Sequence, residues 1–179
     1  IAHKDIMIYM RRGKLAALTA SIGIDGSAYS LPSSFWGSYL AVVNANIGGG
    51  KSDVFIDQSI EGRVDVGADG SSFVNLAVNR AHKGGNEKDW WWRAENKDYL
   101  QVLTNPIATL ISLEGAKEVK NEKLVYPADY TKDPLVEATE KTTIYLPDMF
   151  AWTMESFGKK AFAAWFYLPA DTKKTLRFR

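Results

Sequence analysis

The stretch Pro147–Leu168, PDMFAWTMESFGKKAFAAWFYL, decides how the chain reads. Pro147-Asp148 has the form of a helix start, since proline fits the first helical position, where its missing N–H costs nothing. Phe150, Met154, Phe157, Ala161, Ala164 and Trp165 then recur at helical spacing. The spacing predicts the longest helix of the chain, ending near Tyr167 before Pro169. Its last part, Ala161–Leu168, is apolar nearly all round, the profile of a helix covered on more than one side, as in an oligomer. Asp171–Arg179 reads as a short basic tail behind a single domain over 1–170.

Toward the N-terminus the period changes to that of strands. Ile6–Met10 and Leu15–Ile22 read as strands around a basic turn, Arg11-Arg12-Gly13-Lys14. Gly23–Gly26 is turn chemistry. Tyr39–Val43, Val54–Ile56, Gly62–Val66 and Phe73–Val78 follow as strands, broken at Gly48-Gly49-Gly50 and Asp69-Gly70. In the last of these, Val74, Leu76 and Val78 share one face, while Phe73, Asn75 and Asn79 share the other. That alternation suits an antiparallel sheet with one side on a core. A long strand is expected from about Trp90 to Leu103. Asn105-Pro106 reads as a capped helix start carrying Ile107, Leu110 and Ile111 to a stop at Gly115. Residues 117–141 read as a charged loop with a weak strand at Leu124-Val125-Tyr126, and Thr142–Leu146 as a short strand. The order of elements gives an α+β class: antiparallel curved sheets, two helices packed at one end, and the long C-terminal helix.

Composition narrows the function classes. The 179 residues are 46% hydrophobic and 24% charged, with 22 Lys+Arg against 21 Asp+Glu, which is ordinary for a folded domain. A net charge of +1 excludes a polyelectrolyte but leaves room for a local basic face. With no cysteine there is no disulfide, thiolate metal site or cysteine nucleophile. His3 and His82 are the only histidines, too few for a multi-histidine metal centre. No apolar run reaches the roughly 18 residues of a membrane helix, and no membrane partner is expected. The first residue is Ile1 and no signal-peptide pattern follows it; a targeting segment ahead of it stays open.

Gly48-Gly49-Gly50-Lys51-Ser52 lacks the glycine a phosphate loop needs where Ala45 stands, and a strand rather than a helix follows. His82 stands alone beside Lys83-Gly84-Gly85, the setting of a solvated loop residue. Asp65 and Asp69 sit in turns, where aspartate bonds locally. No nucleophile, base and orienter can be assembled, so no enzyme, cofactor or metal is expected. Lys88-Asp89-Trp90-Trp91-Trp92-Arg93 is the least ordinary segment. On a strand, Trp90 and Trp92 point one way and Trp91 the other. Rings left exposed beside Lys and Arg suit base stacking. Burial in the core and a subunit contact is the plainer account, and sugar stacking a third.

Three stretches together resemble the Whirly-type single-stranded nucleic-acid-binding family, which includes plant organellar Whirly proteins and kinetoplastid mitochondrial guide-RNA-binding proteins. Ile8-Tyr9-Met10-Arg11-Arg12-Gly13-Lys14-Leu15-Ala16-Ala17-Leu18-Thr19 resembles the family's basic strand motif. Lys88–Leu103 with Ile107–Leu113 is similar to its Trp-containing strand and following helix. Thr143–Pro147 with Phe150–Trp165 is similar to its last strand and C-terminal helix. The resemblance implies a sequence-tolerant binder of single-stranded RNA or DNA that serves annealing or protection. It implies Arg11, Arg12 and Lys14 on phosphates, and Phe73, Asn75, Trp91 and Arg93 on bases and sugars; Arg80 and Lys88 complete the candidate set. It further implies a homo- or hetero-tetramer built through the C-terminal helix and a mitochondrial location. RNA and DNA are not distinguished. The reading from another class is a β-rich structural subunit of a virion, filament or surface layer. It fits the absence of cysteine, the Gly/Ser/Thr/Asn turns and the near-neutral charge. A carbohydrate-binding module using the tryptophans is third.

Overall fold

The computed structural model describes residues 7–11, 13–27, 29–35, 37–119 and 127–179. The chain divides into two compact units, Ile1–Trp36 and Gly37–Arg179. In the first, Lys14–Ser21 (KLAALTAS) is helix α1. Alanine and leucine, both strong helix formers, fill it. Gly13 and Gly23, with φ of 91° and 68°, bracket it. The strand expected over 15–22 is therefore a helix. Leu15, Leu18 and, just past the helix, Ile22 are exposed.

The second unit contains β1 (Leu40–Val43), β2 (Ile56–Val66), β3 (Ser72–His82), α2 (Trp90–Arg93), β4 (Asn96–Thr104) and β5 (Leu113–Glu114). It continues with α3 (Pro134–Thr142), β6 (Ile144–Leu146), β7 (Ala151–Ser156), β8 (Lys159–Leu168) and β9 (Lys173–Phe178). Five strands form one sheet in the order β1-β4-β8-β7-β6, and four form another in the order β2-β3-β9-β5. All the pairings are antiparallel. The sheets meet in one core. Leu76 and Val78 of β3 and Leu176 and Phe178 of β9 pack with Leu100 and Val102 of β4 and Phe162 and Phe166 of β8. Burying each such side chain stabilises by roughly 1.5–3 kcal/mol.

The antiparallel α+β character stands, but the long C-terminal helix does not. Pro147–Leu168 is a 3-10 turn followed by the β7–β8 hairpin. Phe157 and Gly158 both have positive φ, 51° and 68°, the backbone of a two-residue hairpin turn. Ser156 pairs with Lys159 across it. Beyond the turn, alternation replaces helical spacing: Phe162, Ala164, Phe166 and Leu168 are buried, whereas Trp165 and Tyr167 point the other way and are half-buried. The expected basic tail is β9, held between β3 and β5. An assembly through a C-terminal helix therefore has no element to carry it.

The two-helix end also disappears. Asn105 does not cap a helix; its side chain accepts from the Tyr39 amide at 2.7 Å and donates to the Gly37 carbonyl at 2.7 Å. Residues 105–112 are irregular. The second helix lies instead at α3, where the Asp133 carboxylate accepts from the Leu135 and Val136 amides at 2.8 and 3.3 Å and Pro134 takes the first position. The weak strand at 124–126 lies outside the described residues.

Candidate interaction surfaces

The interior at one end of the sandwich is polar. Arg80 of β3 and Asp98 of β4 both face inward, and their guanidinium and carboxylate form a buried ion pair between the two sheets. Arg80 also donates to the Asn96 side chain at 3.1 Å. Asp98 accepts from the Ala45 amide at 2.7 Å. Asn96 donates to Ser52 Oγ at 3.1 Å and to Asp53 at 2.9 Å, so the β1–β2 connection is fastened to the same cluster. Burial pushes the Asp98 carboxyl up from its ordinary value, while Arg80 and the Ala45 amide pull it back. Arg80 is thus 4% exposed and engaged inside, not on a binding surface. His82 is buried as well: its Nδ1 accepts from the Gly84 amide at 3.0 Å and its Nε2 lies 3.1 Å from the Ala94 carbonyl. The two contacts hold the ring inside the fold, so His82 is not the solvated loop residue that its neighbours suggest.

The tryptophan segment is a helical turn, α2, and not a strand. A single turn points successive side chains in different directions, so the expected two-faced split of the three rings is lost. Trp91 lies edge to face between Trp90 and Trp92, with centroids 5.9 and 6.3 Å away. Trp92 packs on Phe55. Trp90 remains 64% exposed. Lys88 and Arg93 are exposed, and Arg93 holds the turn by donating to the Glu87 and Lys88 carbonyls.

Phe73 and Asn75 do share the outer face of the four-stranded sheet, as the alternation predicts. Arg179 stacks over the Phe73 ring at 5.6 Å, and Asn75 donates to Asp65 at 3.3 Å. The register adds what the sequence left unassigned. Asp57, Glu61, Asp65 and Glu114 share this face with Arg63, Lys173 and Arg177. An open depression of ≈ 920 Å³ runs over Asp57, Ser59, Asn79, Lys173, Thr175 and Arg177. Carboxylates balance the cations here, so the face lacks the positive stripe that tracks phosphates. Arg11 and Lys14 are exposed in the first unit; Arg12 lies outside the described residues.

The outer face of the five-stranded sheet is aromatic. Tyr167, Trp165, Tyr99, Trp152 and Tyr145 touch in sequence, with centroids 5.9, 5.2, 6.1 and 5.0 Å apart. Lys97 sits 5.7 Å above Tyr167. Ala161 and Ala163 form a fully buried floor beside Met154. Burial pushes the Tyr99 phenol up to about 12. This row escaped sequence reasoning because the helical reading of 147–167 scatters Trp152, Trp165 and Tyr167; the strand period places them on one face with Tyr99 and Tyr145.

Among the described residues no group of three or more His, Cys, Asp or Glu could hold a metal ion. No helix among them is long and apolar enough to cross a membrane. Comparison with family models, with curated proteins and with solved structures finds no match.

Proposed function

We propose that the chain is a structural subunit that assembles with copies of itself through the sandwich. One observation carries this reading. β2 is an edge strand of eleven residues whose core-side apolar row extends past the core. Val78 of β3 is fully buried, yet its cross-strand neighbour Ile60 is 46% exposed, and Val64 and Val66 on the same side are 52% and 72% exposed. A long open edge with bare apolar side chains is a template for another chain. Sedimentation and light scattering across a concentration series, with electron microscopy of the products, test it. Association that increases with concentration is expected; a monomer at every concentration overturns the reading.

The aromatic row favours a second reading, in which single-stranded nucleic acid lies over the five-stranded sheet with bases against Trp165 and Trp152. Stacking of this kind contributes roughly 1–3 kcal/mol per base. The tilted rings, at 44–86° to one another, and Lys97 as the cation seated on the row make it the weaker of the two. Titration of a labelled oligonucleotide at low and high salt separates them. Binding that falls with salt and is lost in Trp165→Ala supports the second reading; no binding at low salt removes it.

A further inference from the structure

We propose that two copies of this chain pair edge to edge through β2, antiparallel, about a twofold axis at Ile60. The inference rests on the reading of the chain as a self-assembling subunit and names the contact.

The backbone sets the first condition. Just outside β2, the Phe55 carbonyl accepts from the Lys83 amide, and the Gly67 amide donates to the Ser71 carbonyl. These pairs continue the β2–β3 register, in which Ile56 lies opposite His82 and Val66 opposite Ser72. Odd-numbered residues of β2 therefore bond to β3, and even-numbered residues turn their N–H and C=O groups to the open edge. Ile56, Gln58, Ile60, Gly62, Val64 and Val66 are the free positions. Their side chains share the core side of the sheet with Val78 and Leu76. Any added antiparallel strand must bond to these residues.

The second condition is side-chain fit. With Ile60 opposite Ile60 of the second copy, Ile56 meets Val64 and Gln58 meets Gly62, each twice by symmetry. On the other face Asp57 meets Arg63, also twice, and Ser59 meets Glu61. Apolar residues meet apolar ones and opposite charges meet. In the monomer, Asp57 is paired with Lys83 and Arg63 with Asp65, both at the surface, so these charges are solvated and free to be shared. Slipping the partner by two residues puts Glu61 against Glu61 and Asp57 against Asp65, or Asp57 against Glu61 in the other direction. A slip of four places Glu61 against Arg63 but sets Val66 against Gln58 and two glycines at the centre. The segment Ile56–Val64 is thus close to a palindrome of hydrophobicity and charge for one register. No proline or lysine occupies β2, and its four charges, Asp57, Glu61, Arg63 and Asp65, all lie on the outer face, away from the apolar row.

The protein contains no cysteine, so a single introduced thiol reports one position. Ile60→Cys on the full chain is expected to form a disulfide-linked dimer on mild oxidation, because a bonded pair across the axis has Cα atoms about 5.5 Å apart. Asp57→Cys is expected not to, since its own copy lies about 20 Å along the strand in this register. Asp57→Cys with Arg63→Cys is expected to restore the cross-link. Independently, Asp57→Arg should weaken association at least tenfold by sedimentation, and Asp57→Arg with Arg63→Asp should restore it. Gln58→Pro removes an N–H facing the open edge and should abolish pairing while the far-ultraviolet spectrum is retained. If the parent associates but Ile60→Cys does not cross-link and the charge swap changes nothing, the β2 contact is wrong and assembly proceeds elsewhere. If the parent is a monomer throughout, the assembly reading itself fails.

Discussion

The five-stranded sheet is the more closed of the two, with only short strands at its edges and a layer of packed rings on its outer face, whereas the four-stranded sheet is packed on one face and leaves one long edge open. The first ends in β1, of four residues, and β6, of three. Its outer face carries the aromatic row over buried alanines. The second ends on one side in β5, of two residues, and on the other in the bare eleven-residue β2. Its outer face is a balanced mixture of charges and small polar side chains. The difference teaches where stability resides and where a contact has room. Side chains that hold the fold concentrate in the closed sheet, and the open sheet leaves an edge and a face for contact.

The sharpest test of that division cuts the polar tie between the sheets. Asp98→Ala removes one member of a buried ion pair and leaves Arg80, which already has an unpartnered Nε, with only the Asn96 side chain and the more distant Asp53 carboxylate at 3.8 Å. Breaking a buried pair costs about 3–5 kcal/mol when the remaining charge is uncompensated; with Asp53 still near Arg80, a loss toward the lower end is expected in urea denaturation. Arg80→Met combined with Asp98→Leu should recover most of the loss, since it removes both charges together. If Asp98→Ala alone is nearly neutral, the two sheets are held by apolar packing and the polar cluster is incidental.

A smaller effect compares the outer faces directly. Trp152→Ala deletes a half-buried ring that contacts Tyr99 and Tyr145, and roughly 2–3 kcal/mol of stability should go with it. Phe73→Ala on the open sheet deletes a ring that is 42% exposed and touches Arg179, with an expected cost of about 1 kcal/mol or less. Equal losses in thermal or chemical unfolding would erase the distinction between the faces.

Much of the open sheet is legible in the sequence. The alternation over 73–79 and the Asp69-Gly70 turn give the β2–β3 hairpin and the outward position of Phe73 and Asn75. The same parity carries Arg80 inward with Leu76 and Val78, a signal present in the sequence and overridden by its charge. The closed sheet hides itself. Alanine and leucine are helix formers, and in AFAAWFYL they serve as flat floor and core positions in a strand. Phe157-Gly158 marks the hairpin only once its positive φ is known. Asn105-Pro106 and Asp133-Pro134 offer the same start signal; the structure uses only the second, because the Asn105 side chain is occupied by the chain at residues 37–39. The near-palindrome in β2 becomes meaningful only after the register shows which residues face the open edge.

The finest test reads how tightly the aromatic face is closed. Tyr99 lies between Trp165 and Trp152, and its burial raises the phenol to about 12 from an ordinary value of 10. Between those values the unfolded chain has ionised this group and the folded chain has not. Keeping it neutral therefore favours the fold fully below pH 10, and the advantage drains away as pH rises to 12. Following tyrosinate absorbance, one of the eight tyrosines should titrate late, and that step should be missing in Tyr99→Phe, with a shallower loss of stability in alkali. Titration of all tyrosines together near pH 10 in the folded protein would mean that water reaches this face freely. The closed sheet would then be no better sealed than the open one, and the contrast between them would rest on β2 alone.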